Sequence, residues 1–240
     1  MKKLSRIFAM CALTLLMANA YAQSAANSGN NSVYIDQTNA DNSTITITQT
    51  GAGNNVGDRS DLLMPSFVVD GNNMNLVIDQ DGMNNKIVGN FIGGDSNMNI
   101  YQIGSGNLSK FDMGNFGTSA GNATLTFNGD NNTSDWTFAN LSYTADYNYT
   151  LTVNGNSNII NSTMNSRYIH NTIAITGNSN QFTTVQAGAS GTAITPGHKI
   201  ESTIIGNGNA INITQNGTTT PNIVTLNVTG SNTITNITQH

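Results

Sequence analysis

Few residues in this chain of 240 have the type and spacing to do covalent chemistry. The three histidines, His170, His198 and His240, stand far apart, with no carboxylate or cysteine at the spacing of a catalytic or metal-binding motif. Asp79 with Asp81, and Asp130 with Asp135, could touch a calcium ion. Neither pair fits the EF-hand loop or the Gly-Gly-x-Gly-x-Asp repeat, so solvated turn carboxylates are expected there. His-Glu-x-x-His and P-loop strings are absent, and Gly51-Ala-Gly53 lacks the third glycine of a dinucleotide loop. The sequence nominates no catalytic residue, metal site or cofactor, and predicts a protein that is not an enzyme. The chemistry that recurs is that of the side-chain amide. Gln and Asn both donate and accept hydrogen bonds, so stacked columns of them can satisfy groups that are costly to bury unpaired.

The amides recur in a pattern. Ser96, Met98, Ile100 and Gln102 alternate with outward residues, and Gly104, Gly106 and Asn107 follow. Ser43, Ile45, Ile47 and Gln49, then Gly51, Gly53 and Asn54, repeat that order. Asn209, Ile211, Ile213 and Gln215 repeat it less completely, as do Asn31, Val33, Ile35 and Gln37, and Asn180, Phe182, Thr184 and Gln186. Met74, Leu76, Ile78 and Gln80, with Gly82 and Asn85 after them, lose the first polar residue. The assembly ladder expected from these units comprises Asn31, Gln37, Ser43, Gln49, Gly51, Gly53, Asn54, Gln80, Gly82, Asn85, Ser96, Gln102, Gly104, Gly106, Asn107, Gln186, Asn209 and Gln215.

The elements that must position these residues are short strands. Period-2 alternation bounded by Asn, Gly, Asp and Ser is a strand-and-turn signature, and helix is disfavoured by the abundance of Asn, Gly and β-branched residues. One strand with two apolar residues buries little, so the unit requires stacking. Taken two units at a time, the recurring asparagines give a period of about 22–26 residues. The expected fold is all-β, a two-sheet parallel β-solenoid of strand–turn–strand repeats over residues 31–239. Central units keep the alternation but end in Gly129, Gly155 and Gly177 without the glutamine. Stretches near 56–70, 133–147 and 187–200 read as loop inserts at the corners, and Trp136 in the second is a candidate partner contact.

The string Ser-x5-Gln-x-Gly-x-Gly-Asn, present at Ser43 to Asn54 and Ser96 to Asn107, resembles the repeat of curlins, the subunits of bacterial curli amyloid fibres. The resemblance implies a structural subunit of an extracellular or cell-surface fibre serving adhesion and biofilm matrix. It implies self-association into a homopolymer, a nucleator or major fibre subunit as companion, and export from a Gram-negative-type cell through the periplasm and an outer-membrane secretion channel. The chain departs from the family in its length, its glutamine-free central units and its short 23–30 segment.

Other features agree with export. Lys2, Lys3 and Arg6 precede the apolar run 7–18, and Ala20-Tyr21-Ala22 is an Ala-x-Ala cleavage site, so residues 1–22 read as a cleaved secretory leader. Residues 23–30 then form a short polar segment. Cys11, the only cysteine, would leave with the leader. Loss of the three basic residues leaves five basic against 13 acidic, a net charge of −8, which argues against nucleic acid and anionic membranes. No transmembrane segment is expected after cleavage. The rival readings are a monomeric secreted solenoid acting as an adhesin stalk, and an ice-binding protein. The latter rests on the Thr44, Thr46, Thr48 run and its echoes at Thr124, Thr126, Thr150 and Thr152.

Overall fold

The computed structural model describes residues 11–16, 22–23, 31–58, 60, 66–113, 121–138, 147–190, 197–217 and 221–240, and every regular element among them is a strand. The first five are β1 (Cys11–Leu16), β2 (Ala22–Gln23), β3 (Ser32–Thr38), β4 (Thr44–Ala52) and β5 (Asn55–Val56). Next come β6 (Phe67–Asp70), β7 (Asn75–Met83), β8 (Lys86–Ile92), β9 (Ser96–Ser105) and β10 (Leu108–Met113). They are followed by β11 (Gly121–Asn128), β12 (Thr133–Phe138), β13 (Tyr147–Asn154), β14 (Ile159–Arg167) and β15 (His170–Thr176). The last are β16 (Gln181–Ser190), β17 (Lys199–Ile205), β18 (Ala210–Gly217), β19 (Ile223–Thr229) and β20 (Ile234–Gln239).

From β3 onward the chain alternates between two sheets, giving the two-sheet parallel β-solenoid expected from the repeat. One sheet runs β1-β4-β7-β9-β11-β13-β15-β17-β19, and the other β2-β3-β5-β8-β10-β12-β14-β16-β18-β20. β6 fills the same level as β5, pairing with β3 and β8. The ladders are parallel except at the start, where β1 and β2 lie antiparallel on β4 and β3.

Alternation decides what is buried. In β15 the residues Asn171, Ile173 and Ile175 face inward, and in β18 Ile211, Ile213 and Gln215 do. Between the sheets Ile45, Leu76 and Met98 stack in one file, and Ile47, Ile78, Ile100, Leu125, Leu151 and Ile173 in another. Each fully buried aliphatic side chain is worth about 1.5–3 kcal/mol, but only once a neighbouring rung covers it. Volume is balanced along the stack. Gly89 lies level with Phe67 and Phe111, whose rings meet edge to face with centroids 6.4 Å apart. A Cβ on Gly89, at φ 115°, would fall 1.7 Å from the Phe111 carbonyl oxygen.

The spacing between equivalent residues is 22–26 for most rungs, rising to 31 between Asn54 and Asn85 and to 29 between Asn180 and Asn209. Part of each expected insert is strand. The first leaves within a strand, not at a corner: β5 ends at Val56, and β6 resumes the same level at Phe67. Asp58 in this insert pairs with Lys86 on β8. Thr133–Phe138, at the start of the second stretch, form the strand β12, and 139–146 lie outside the described residues. Trp136 is 1% exposed in the core and donates its indole N–H to Ser134, so it is no surface contact. Alternation of Ser134, Trp136 and Phe138 with polar residues already fitted a strand; lone-tryptophan reasoning obscured it. In the third stretch β16 continues to Ser190 and β17 begins at Lys199, so the corner is shorter than 187–200. No helix among the described residues is long and apolar enough to cross a membrane.

Candidate functional site

The best-formed site is a column of asparagines at one corner of the solenoid. Asn31, Asn54, Asn85, Asn107, Asn132, Asn158, Asn180 and Asn209 each accept, through Oδ1, the backbone N–H of the equivalent residue one rung on, at 2.9–3.1 Å. From Asn54 onward, Nδ2 donates to the carbonyl of a glycine in the next rung, at 2.8–3.0 Å: Gly82, Gly104, Gly129, Gly155, Gly177, Gly206 and Gly230. The column ends at Thr233, whose N–H is bound by Asn209 but whose side chain is no amide. Asparagine suits this corner because a short amide reaches one donor and one acceptor that a turn leaves open.

The glycines form their own file. Gly51, Gly82 and Gly104 have φ of 98°, 125° and 115°. A Cβ on Gly51 or Gly82 would lie 1.9 Å from the next glycine's carbonyl oxygen. Two residues on, the demand relaxes. Gly53 and Gly106 share their level with Asn84 and Asn131, which take φ of 57°, a value small polar residues tolerate. At Gly51, Gly82 and Gly104 a Cβ would thus run into backbone, whereas at Gly53 and Gly106 it would meet the amide oxygens of Asn84 and Asn131 at 2.4 and 2.5 Å, side-chain ends that would have to shift.

Glutamines form two separate runs. In the sheet of β4, Gln49 donates Nε2 to Gln80 at 2.8 Å, and Gln80 to Gln102 at 2.7 Å. The column continues through Phe127, Val153, Ile175, Ile204 and Val228. In the sheet of β3, Gln186 donates to Gln215 at 2.9 Å, and Gln215 to Gln239 at 3.1 Å. Asn171, from the facing sheet, donates to Gln186 at 2.8 Å.

Gln37 departs from the expected ladder. It is 4% exposed, stands beside Val69, and neither its Oε1 nor its Nε2 has a hydrogen-bond partner. Followed through the sheet, its register is that of Phe91, Met164, Gln186, Gln215 and Gln239. The serines do not form a column either. Ser43 bonds the next rung at Gly71 and Met74, whereas Ser96 donates to Gly94 in its own turn.

Sequence reasoning left Asn132, Asn158 and the central glycines, whose units lack the glutamine, out of the ladder, and left out Asn180 although its unit ends in Gln186. Their signal was the asparagine period itself. On the outer face, Thr124, Thr150 and Thr172 are neighbours, as are Thr126 and Thr152. Val77, Asn99, Ala174 and Glu201 interrupt these files, so no regular threonine lattice exists.

His198 is fully buried. Its Nε2 lies 3.0 Å from the Ala187 carbonyl, and its Nδ1 accepts the Asn222 N–H at 3.1 Å. Those two bonds fix the Nε2-protonated neutral tautomer, and burial lowers its pKa below 6.5. It is a rivet between rungs. Asp79, on the outer face, has its pKa raised by partial burial and by the neighbouring Asp81. A Gly-x-Ser-x-Gly string at residues 117–121 leads into strand β11, not into the helix that a nucleophile elbow needs. Among the described residues no three His, Cys, Asp or Glu side chains are grouped to hold a metal. No family model matches this chain, and no curated protein or solved structure matches it.

Proposed function

We propose that this chain is a curlin-like structural subunit of a secreted, amyloid-type fibre for surface adhesion and biofilm matrix, growing end to end by rung-on-rung stacking. The observation that carries this reading is the pairing of one open end with one unfinished end. At the C-terminal rung, Ile223 is 58% and Ile234 75% exposed, and the inward residues Leu226, Ile237 and Gln239 are only half-buried. Among the described residues, β19 and β20 end their sheets. At the N-terminal rung, Gln37 sits in the register of Gln239 with its amide unpartnered. Setting one copy's last rung on another's first, in continued register, puts Val224 on Ile45, Leu226 on Ile47, Ile237 on Ile35 and Gln239 against Gln37. The same register sets Val228 on Gln49, so the partner gained at Gln37 is offset there, and burial of the half-buried apolar residues is what drives the stacking. Edge strands without a charged residue, as β19 and β20 are, are templates for further pairing.

The curlin resemblance extends the proposal to a nucleator or major subunit as companion and to export through an outer-membrane channel. The test follows chain 23–240, released from denaturant at micromolar concentration, by thioflavin fluorescence, electron microscopy and fibre diffraction. Fibres with a meridional spacing of about 4.8 Å are expected. A stable, soluble β-rich monomer would overturn the reading in favour of a solitary stalk.

A further inference from the structure

The two antiparallel strands at the start of the chain occupy the edge that the stacking above would use. β1 pairs with β4 over six positions, from Cys11 opposite Gln49 to Leu16 opposite Thr44. β2 pairs with β3, with Ala22 opposite Ile35 and Gln23 opposite Tyr34. The edge of β4 is thereby covered over six residues and that of β3 over two, whereas among the described residues no strand covers β19 or β20. Every rung-to-rung junction from β3 onward is parallel, so these covering strands are not a further turn of the coil. A strand edge has one set of free N–H and C=O groups and can hold one neighbour at a time. Cleavage after Ala22 would remove β1 whole and sever β2 between its two residues.

We infer that the leader acts as a removable cap: its strands hold the N-terminal face of the first rung closed to a second copy, and their removal opens the seat for that copy's last rung. This rests on the fibre reading and on leader cleavage. It also gives the precursor a directional behaviour. A leader-bearing copy still has an open C-terminal face, so it can add to a fibre end that displays β3 and β4. Once added, it displays only its own capped face, and that end stops growing. The opposite end, which displays β19 and β20, cannot take the precursor at all.

Three materials test this: chain 23–240, the full chain 1–240, and a full chain with a specific protease site placed within residues 24–30. Preformed fibres of chain 23–240 serve as seeds. The full chain is expected to extend seeds at least tenfold more slowly than chain 23–240. At a small molar fraction it should stop one end of each seed, as seen by two-colour imaging, and protease addition should restore growth. Equal elongation rates for the full and shortened chains would overturn the cap while leaving the fibre standing. If chain 23–240 forms no fibres, the fibre reading has failed, and the cap is judged separately by cross-linking. Thr14 pairs with Thr46, so Thr14→Cys with Thr46→Cys, in a Cys11→Ser background, should form an intrachain disulfide in the full chain. The neighbouring mispairing, Thr14→Cys with Thr50→Cys, should not. Absence of the first cross-link, or equal yields of both, would overturn the cap.

Discussion

Asn107 offers the sharpest test of the corner column. Its Oδ1 accepts the Asn132 N–H at 3.0 Å, and its Nδ2 donates to the Gly129 carbonyl at 2.8 Å. The side chain is 1% exposed, so water cannot easily replace either bond. Asn107→Ala removes both while leaving Asn85 its other partner, the Asn107 backbone N–H. Two buried groups losing their partners at about 1–3 kcal/mol each give about 2–6 kcal/mol, a large share of the 5–15 kcal/mol typical of a domain. Asn97, exposed on β9 ten residues earlier, is the matched control, and Asn97→Ala should stay within about 0.5 kcal/mol. Urea unfolding of freshly refolded chain compares the two, and amide exchange at Asn132 reports on the bond itself. Equal midpoints for the two variants, with the Asn132 amide still protected in Asn107→Ala, would refute the claim that the asparagine column holds the rungs.

Other outcomes follow from the same geometry. Gln80→Leu alone takes the donor from Gln102 Oε1 and one of three acceptors from Gln49 Nε2, so it should destabilise more than Gln49, Gln80 and Gln102 all changed to Leu, because apolar residues already fill that column in later rungs; urea midpoints of the two variants decide. Replacing Gln49 and Gln102 together by Ala should lengthen the assembly lag more than replacing the outward Thr46 and Asn99, and equal lags by thioflavin would refute the ladder's part in assembly. His198 has a folded pKa below 6.5, so the unfolded chain binds the extra proton first as pH falls. Its contribution is full above pH 6.5, declines as pH drops through that value toward the folded pKa, and is level below it. His198→Gln should flatten that part of the stability-versus-pH curve measured by urea unfolding at pH 7.5 and 5.

Much of the architecture was legible because alternation and stacking leave few options. Two apolar residues per strand cannot make a core alone, and a period of two strands closes a two-sheet coil. Reading failed where one residue was allowed to outvote the pattern. Trp136 suggested a loop because it is large and solitary, yet Ser134 beside it and Ser162 one rung on leave it room in the core. Gln37 matched the local motif, but a ladder is made between rungs, and the rungs above it place Val69 and Phe91 in its file. Local sequence cannot show what stands 32 residues away. The asparagine column was legible from its period, which runs through units with the glutamine and units without it.

That glutamine is dispensable along much of the stack changes what it can be for. Val153, Ile175 and Ile204 fill the same positions in the sheet of β4, so an apolar side chain supports a rung there. The amides are gathered toward the ends: Gln49, Gln80 and Gln102 at the N-terminal end of one sheet, Gln186, Gln215 and Gln239 at the C-terminal end of the other. An apolar file tolerates a slip along the strand by two residues, since Ile and Val repeat at that interval. A buried amide does not, because the slip would set it against a hydrocarbon at a cost of about 1–3 kcal/mol. In the sheet of β3 the end amides thus fix register where a rung lacks a covalently linked neighbour, whereas Gln49, whose file ends in Val228, does not; the interior, whose register the connecting corners already restrict, can dispense with them. On this argument Gln37, unpaired within its own chain, is the end residue of a column that only a second copy completes.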